Sequence, residues 1–219
     1  MQKLVFPIAA LLFLFSCTKN LTERKPVYFN DFESGNLLDI EISDRSGRVS
    51  SNQITTYNGN KVLGPFNNGK YVQFTIDTMP LHNRIKIEFD LYIHDNWTGN
   101  QIPPGHSLPD YWVLEVDGSY PIFTTFSNIA GLPQSFPLNY EAGVNPFPAK
   151  GNSWVIGLPG ACTPAASGNG TTLYKVDLFH FHNFHRARVS FTDQMRLELP
   201  LCEKSWSIDN VRVTAMEFK

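Results

Sequence analysis

The sequence predicts an all-β protein, a two-sheet antiparallel jelly-roll β-sandwich, and three observations carry that expectation. Over residues 84–93, Ile85, Ile87, Phe89, Leu91 and Ile93 alternate with Arg84, Lys86, Glu88, Asp90 and Tyr92. A period of two is a strand with one dry face and one wet face. No stretch of twelve residues keeps apolar positions at i, i+3, i+4 and i+7 free of Gly, Pro or Asn, so helices are not expected. Turn formers such as Asn58-Gly59-Asn60 and Asn67-Asn68-Gly69 separate the other apolar runs.

In chain order the strands are expected at residues 27–33, 70–77, 84–93, 111–117, 120–126, 171–182, 186–192 and 206–214. Each is a short run rich in β-branched or aromatic residues and bounded by turn residues. Asp117-Gly118, set between two apolar runs, predicts a tight hairpin. Eight or more strands with these breaks suit two packed sheets. Residues 128–170 differ, being rich in Gly, Pro, Asn and Ser with isolated aromatics at Phe136, Tyr140, Phe147 and Trp154. A loop of that size carries function or folds back as a cover.

Before the strands stands a short basic start (Met1, Gln2, Lys3) and an apolar run over 4–15, too short to span a bilayer but suited to a signal-peptide core. It ends in Leu14-Phe15-Ser16-Cys17, which resembles the bacterial lipobox, in which the cysteine is acylated and becomes the mature N-terminus. The alternative is an ordinary secretory peptide with an accidental cysteine. The expected organisation is therefore a leader over 1–17, a tether over 18–26 and one sandwich domain over 27–219. The expected location is a bacterial cell envelope, at the outer membrane or cell surface, with acyl chains on Cys17 as the only membrane contact. Without the leader, 17 basic face 20 acidic side chains in 202 residues, and no basic run exceeds Arg24-Lys25. That balance excludes a nucleic-acid partner as the expectation. With Cys17 assigned to lipid, Cys162 and Cys202 are the natural disulfide in an oxidising compartment, against two buried free thiols.

Four pieces in order carry a resemblance: NDFESG from Asn30, LYIHDNWTGN from Leu91 with PDYWVLEVDG from Pro109, TTFSN from Thr124, and KSWSIDNVRV from Lys204. Together they resemble secreted or surface jelly-roll domains that end in E-S-W-G-I-D-N-V, and more loosely MAM adhesion domains and carbohydrate-binding modules. The resemblance implies that the first and last strands are neighbours. Lys204 stands where those domains have an acid and Ser207 where they have glycine. Asn96 and Thr98 replace a Ser and an Asp of the middle motif.

The same resemblance would bring Asp209 to Asp31 and Glu33, which share one strand face. Hard oxygen donors of this kind suit Ca²⁺, here expected as a structural ion, against a carboxylate pair that faces solvent or caps a turn. The oxygen-rich loop 95–100 is a second, lesser candidate. In Phe179-His180-Phe181-His182-Asn183-Phe184-His185, two imidazoles share a face, as zinc could use. No further ligand spacing completes a site, so His182 is expected to be a hydrogen-bonded strand-end residue. Glu115-Val116-Asp117 begins the E-x-D-x-x-E strand of laminarinase-type hydrolases, but Gly118 and Tyr120 break the series.

Trp97, Trp112, Tyr140 and Trp154 are the candidate ligand-binding aromatics, since flat rings suit the apolar faces of sugars; the alternative is that they cover the core. The functional expectation is thus a non-catalytic binding or adhesion module for carbohydrate. The alternatives are a structural envelope protein without a small ligand, or a divergent glycoside hydrolase.

Overall fold

The computed structural model describes residues 23–50, 53–162 and 169–218, and Cys17 with the leader lies outside them. Among the described residues there are twelve strands and no helix. They are β1 (Glu23–Asn30), β2 (Ile40–Ser43), β3 (Ile54–Tyr57), β4 (Asn60–Phe66), β5 (Tyr71–Ile76) and β6 (Arg84–Asp95), followed by β7 (Tyr111–Val116), β8 (Ser119–Thr124), β9 (Val155–Leu158), β10 (Thr171–Phe181), β11 (Ala187–Gln194) and β12 (Lys204–Glu217). A seven-stranded sheet runs β3-β4-β12-β6-β10-β9 with β1 also on β12, and a five-stranded sheet runs β2-β5-β11-β7-β8. All pairings are antiparallel.

The expected neighbours at the two chain ends are found: Phe29 faces Arg212 and Asn30 faces Val211 across β1 and β12. β1 starts at Glu23, so residues 23–26, expected in the tether, are strand. It stops at Asn30 because Phe32 turns with φ 57° while the Asn30 side chain accepts its N–H at 2.8 Å. The hairpin at Asp117-Gly118 is present, with φ 46° and 84°, the left-handed pair that such a turn needs.

Burial follows the period of two. Ile85, Ile87, Phe89, Leu91 and Ile93 of β6 point into one core, met by Val72, Phe74 and Ile76 of β5, Val189 and Phe191 of β11, and Trp112, Leu114 and Val116 of β7. Trp206, Ile208, Val211, Val213 and Ala215 line it from β12. The parity survives because Asn210, at φ 53°, inserts one extra residue that re-registers β12 on β6.

β2, β3, β4 and β9 were not expected. β4 reads NKVLGPF, whose Gly-Pro is a breaker in sequence. In the fold Gly64 (φ 131°) lies against Ser207, and an added Cβ there would come within 2.6 Å of its hydroxyl. In the expected loop, the stretch around Gln134 is a cover. Gln134 is fully buried; its carbonyl oxygen accepts N–H from Ser127 and Lys150 and the hydroxyl of Tyr174, while its amide donates to Phe136 and Gly151. Phe136 closes on Phe126 and Tyr174.

Cys162 and Cys202 form the expected disulfide, with Cα atoms 5.2 Å apart and a sequence separation of 40. Replacing both with Ala is expected to lower unfolding free energy by about 3–4 kcal/mol, read from urea unfolding, on the loop-entropy account. A change below about 1 kcal/mol would show that the unfolded chain is not constrained by it.

Candidate functional site

The four candidate aromatics do not converge. Trp112 points inward with Leu114 and Val116 and has no exposed surface, because even positions of β7 face the core. Trp97 is equally buried; its indole donates to the Ser205 carbonyl at 2.8 Å and its ring lies beside the Lys204 ammonium. Neither ring offers a face to a ligand, and the expectation for both is corrected. Tyr140 is half-buried, edge-on to Tyr111. Trp154 alone is well exposed, at 67%, with Lys175 over its ring.

The acids at the chain ends do approach one another. Asp209 is buried and its carboxyl is pushed up to about 6, first by burial and then by the charges of Asp90, Glu33 and Asp31. Asn60 and Asn210 donate to its oxygens at 2.6 and 2.7–3.2 Å. Glu33 accepts the Lys61 N–H at 2.8 Å, and Asp31 accepts the Glu33 N–H at 3.2 Å. The donor chemistry suits a hard cation, but the arrangement is not a cage: among the described residues no three His, Cys, Asp or Glu side chains gather to hold a metal. In loop 95–100, Asp95 is instead used to fix neighbouring backbone, accepting the Ala161 N–H at 3.1 Å.

Of the histidines in the 179–185 run, His182 takes part in a chain of contacts with His82 from outside it. Pro80 carbonyl, His82, His182 and Asp117 follow one another at 2.6, 2.7 and 2.9 Å. The carbonyl and the carboxylate each take an N–H, and the ring-to-ring contact takes a third. Full bonding therefore needs one imidazolium shared by the two rings, opposite Asp117. Burial opposes that charge and holds His182 below its ordinary value. Asp117, expected from sequence to form a hairpin turn rather than to complete a hydrolase series, holds that turn and accepts from His182.

Glu115 belongs elsewhere. On the five-stranded sheet the odd positions of β7, with Tyr71 of β5 and Thr192 and Gln194 of β11, face away from the core. They floor a groove of about 440 Å³, walled by Ser43, Asp44 and Arg45 on one side and Tyr120 on the other. Tyr71 and Glu115 flank β11 across its Ser190 and Thr192, and the Tyr71 hydroxyl donates to Glu115 at 3.3 Å. Burial, with Glu115 close by, raises the Tyr71 phenol, so it stays a donor at neutral pH. β8 carries one more residue than β7 between Ser119 and Ile122, a bulge that re-aims Tyr120 into the groove, 57% exposed. Arg45 is fixed across Gly69 and donates to the Met195 carbonyl at 2.9 Å. Sequence reading missed this set, because Tyr71, Glu115 and Tyr120 look like ordinary wet positions of three separate strands.

The groove can stack an apolar ring face on exposed Tyr120 while a carboxylate, a phenol and an amide bind hydroxyls. No protein-family model and no curated protein sequence matches the chain. Among solved structures, it is similar to a family 35 carbohydrate binding module from Clostridium thermocellum at TM-score 0.34 and 9% identity, covering 88% of this chain and 97% of that one. It is also similar to the enzymatically active domain of tailspike protein 4 of bacteriophage CBA120 at TM-score 0.36 and 9% identity. There it covers 89% of this chain but only 21% of that one.

Proposed function

We propose that the protein is a lipid-anchored envelope protein whose β-sandwich binds carbohydrate, without catalysis, in the groove on the outer face of the five-stranded sheet. The observation that carries the reading is the grouping of Tyr71, Tyr120, Glu115, Arg45 and Gln194 around one open concavity. Aromatic surface with a few fixed polar groups is what recognition of a polyhydroxylated ring needs. The two other carboxylates lining the groove are engaged: Asp193 accepts the Gly69 N–H at 2.8 Å and the Trp206 indole N–H at 3.0 Å, and Asp44 holds its own turn through Ser46 and Arg48. This favours binding over glycosidic cleavage, which uses two acids across the bond.

A glycan array is the direct test. Tyr120→Ala and Glu115→Gln are each expected to weaken the strongest hits at least tenfold, whereas Trp154→Ala is expected to leave them within twofold. An array blank for the intact protein would favour the structural envelope reading. Reducing-sugar release abolished by Glu115→Gln would favour the enzyme.

The reading includes a structural Ca²⁺ where first and last strands meet, supported by the crowding of acids around buried Asp209. Its donors would be Asp31, Glu33 and Asp209, drawn into one cluster by the ion itself. Asp209, whose carboxyl is raised in the fold, contributes stability below pH 3.8 that is lost as pH rises through about 6. A bound cation would reverse that loss. Melting at pH 7 is expected to rise with millimolar calcium and fall with chelator; identical melting curves would remove the ion from the account.

A further inference from the structure

The outer face of the seven-stranded sheet, opposite the groove, has a different character in its lower half. Across it lie three rows: Phe179 beside Lys86 and Thr214, Phe181 beside Arg84 and Met216, and Asp177 beside Glu88, Arg212 and Phe29. Arg84 lies 4.2 Å from the Phe181 ring centre and 5.1 Å from that of Phe218. Arg212 lies 4.5 Å from Phe29, and Lys86 5.9 Å from Phe179. All four rings are exposed, from 41% at Phe218 to 74% at Phe181. Arg24, Lys25, Arg84, Lys86 and Arg212 against Glu23, Glu88, Asp177 and Glu217 leave this patch positive by one, and because Lys86 is paired with Glu88 and Asp177 at 2.8 Å, the excess sits on the arginines. Single exposed rings need no explanation, but four on adjoining rows, interleaved with cations, form a surface that does.

The chain arrives at this patch. β1 begins with Glu23 opposite Glu217, one residue from Phe218. Cys17 is six residues upstream, a reach of at most about 20 Å when fully extended. We propose that this face lies against an anionic phospholipid surface, with the phenylalanines in the interfacial zone and the arginines on lipid phosphates. Aromatic rings and basic side chains are the groups that favour that zone. The proposal rests on the anchored reading only for the short tether; ring and charge placement stand without it. It also orients the molecule, since the groove on the opposite sheet then points away from the membrane.

The test uses the mature protein, purified from its host and reconstituted in vesicles containing phosphatidylglycerol and brominated lipid. Trp154→Phe supplies a background whose remaining tryptophans are buried. In it, Phe181→Trp reports from the proposed face and Gln73→Trp from the opposite sheet. The added signal of Phe181→Trp is expected to be quenched at least threefold more than that of Gln73→Trp. Equal quenching, no quenching at position 181, or no vesicle association would overturn the proposal. So would a blue-shifted position-181 signal without lipid. With doubled mass in light scattering it would place a second copy on the face; with unchanged mass, the chain's own N-terminal residues. Mass spectrometry of the N-terminus separates the two ideas, because an unacylated Cys17 refutes the anchor while quenching at 181 would still support the face.

Discussion

Lys204→Met is expected to lower unfolding free energy by about 3–5 kcal/mol, and adding Asp110→Leu is expected to recover most of that loss. The Lys204 ammonium and the Asp110 carboxylate lie 2.7 Å apart with side chains only 6% and 4% exposed. A buried pair gains little over apolar packing, but removing one partner strands the other charge in a medium that cannot solvate it. Among the described residues, Asp110 would keep only the Arg196 N–H, at 2.6 Å. Urea unfolding of the single and double variants reads both effects. A single-variant loss under 1 kcal/mol would mean that water reaches Asp110. β7 begins directly after Asp110, and an acid at 204 would face it with like charge.

Acid is expected to unfold the protein through His94. Its ring lies between strands, within 2.8 Å of the hydroxyls of Thr171 and Ser207, and burial pulls it down to about 3. A histidine that folds neutral stabilises fully above its unfolded value of 6.5, and that contribution drains away as pH falls toward about 3. At the low end the loss is on the order of 4 kcal/mol. His94→Gln keeps a hydrogen-bonding side chain that cannot take the proton. Its stability is expected to fall much less between pH 6.5 and 3 than that of the native protein. Parallel curves for the two would place the acid sensitivity elsewhere, as in the pair His82 and His182.

The sequence reveals those elements whose alternation is strict. β6 is the clearest, and its five apolar positions all reach the core. The pairing of chain ends was legible through the order of motifs, and the disulfide through the count of cysteines. β4 was hidden because Gly-Pro is a breaker in isolation, while in the fold the close approach of Ser207 requires Gly64. The aromatics misled for a related reason: Trp97 follows a strand and looks like a loop residue, yet a hydrogen bond to Ser205 and the Lys204 ammonium hold it in the core. The groove was illegible because its residues sit on three strands far apart in sequence, and one faces it only through a bulge in β8.

What most directly tests the carbohydrate reading is amide and side-chain chemical-shift mapping while the best array glycan is titrated into the intact protein. The account predicts saturable shifts at Tyr71, Glu115, Tyr120, Thr192 and Gln194, with little change at Trp154 or across residues 128–150. Shifts confined to Trp154 and that covering loop, with the outer face of the five-stranded sheet unmoved, would contradict it.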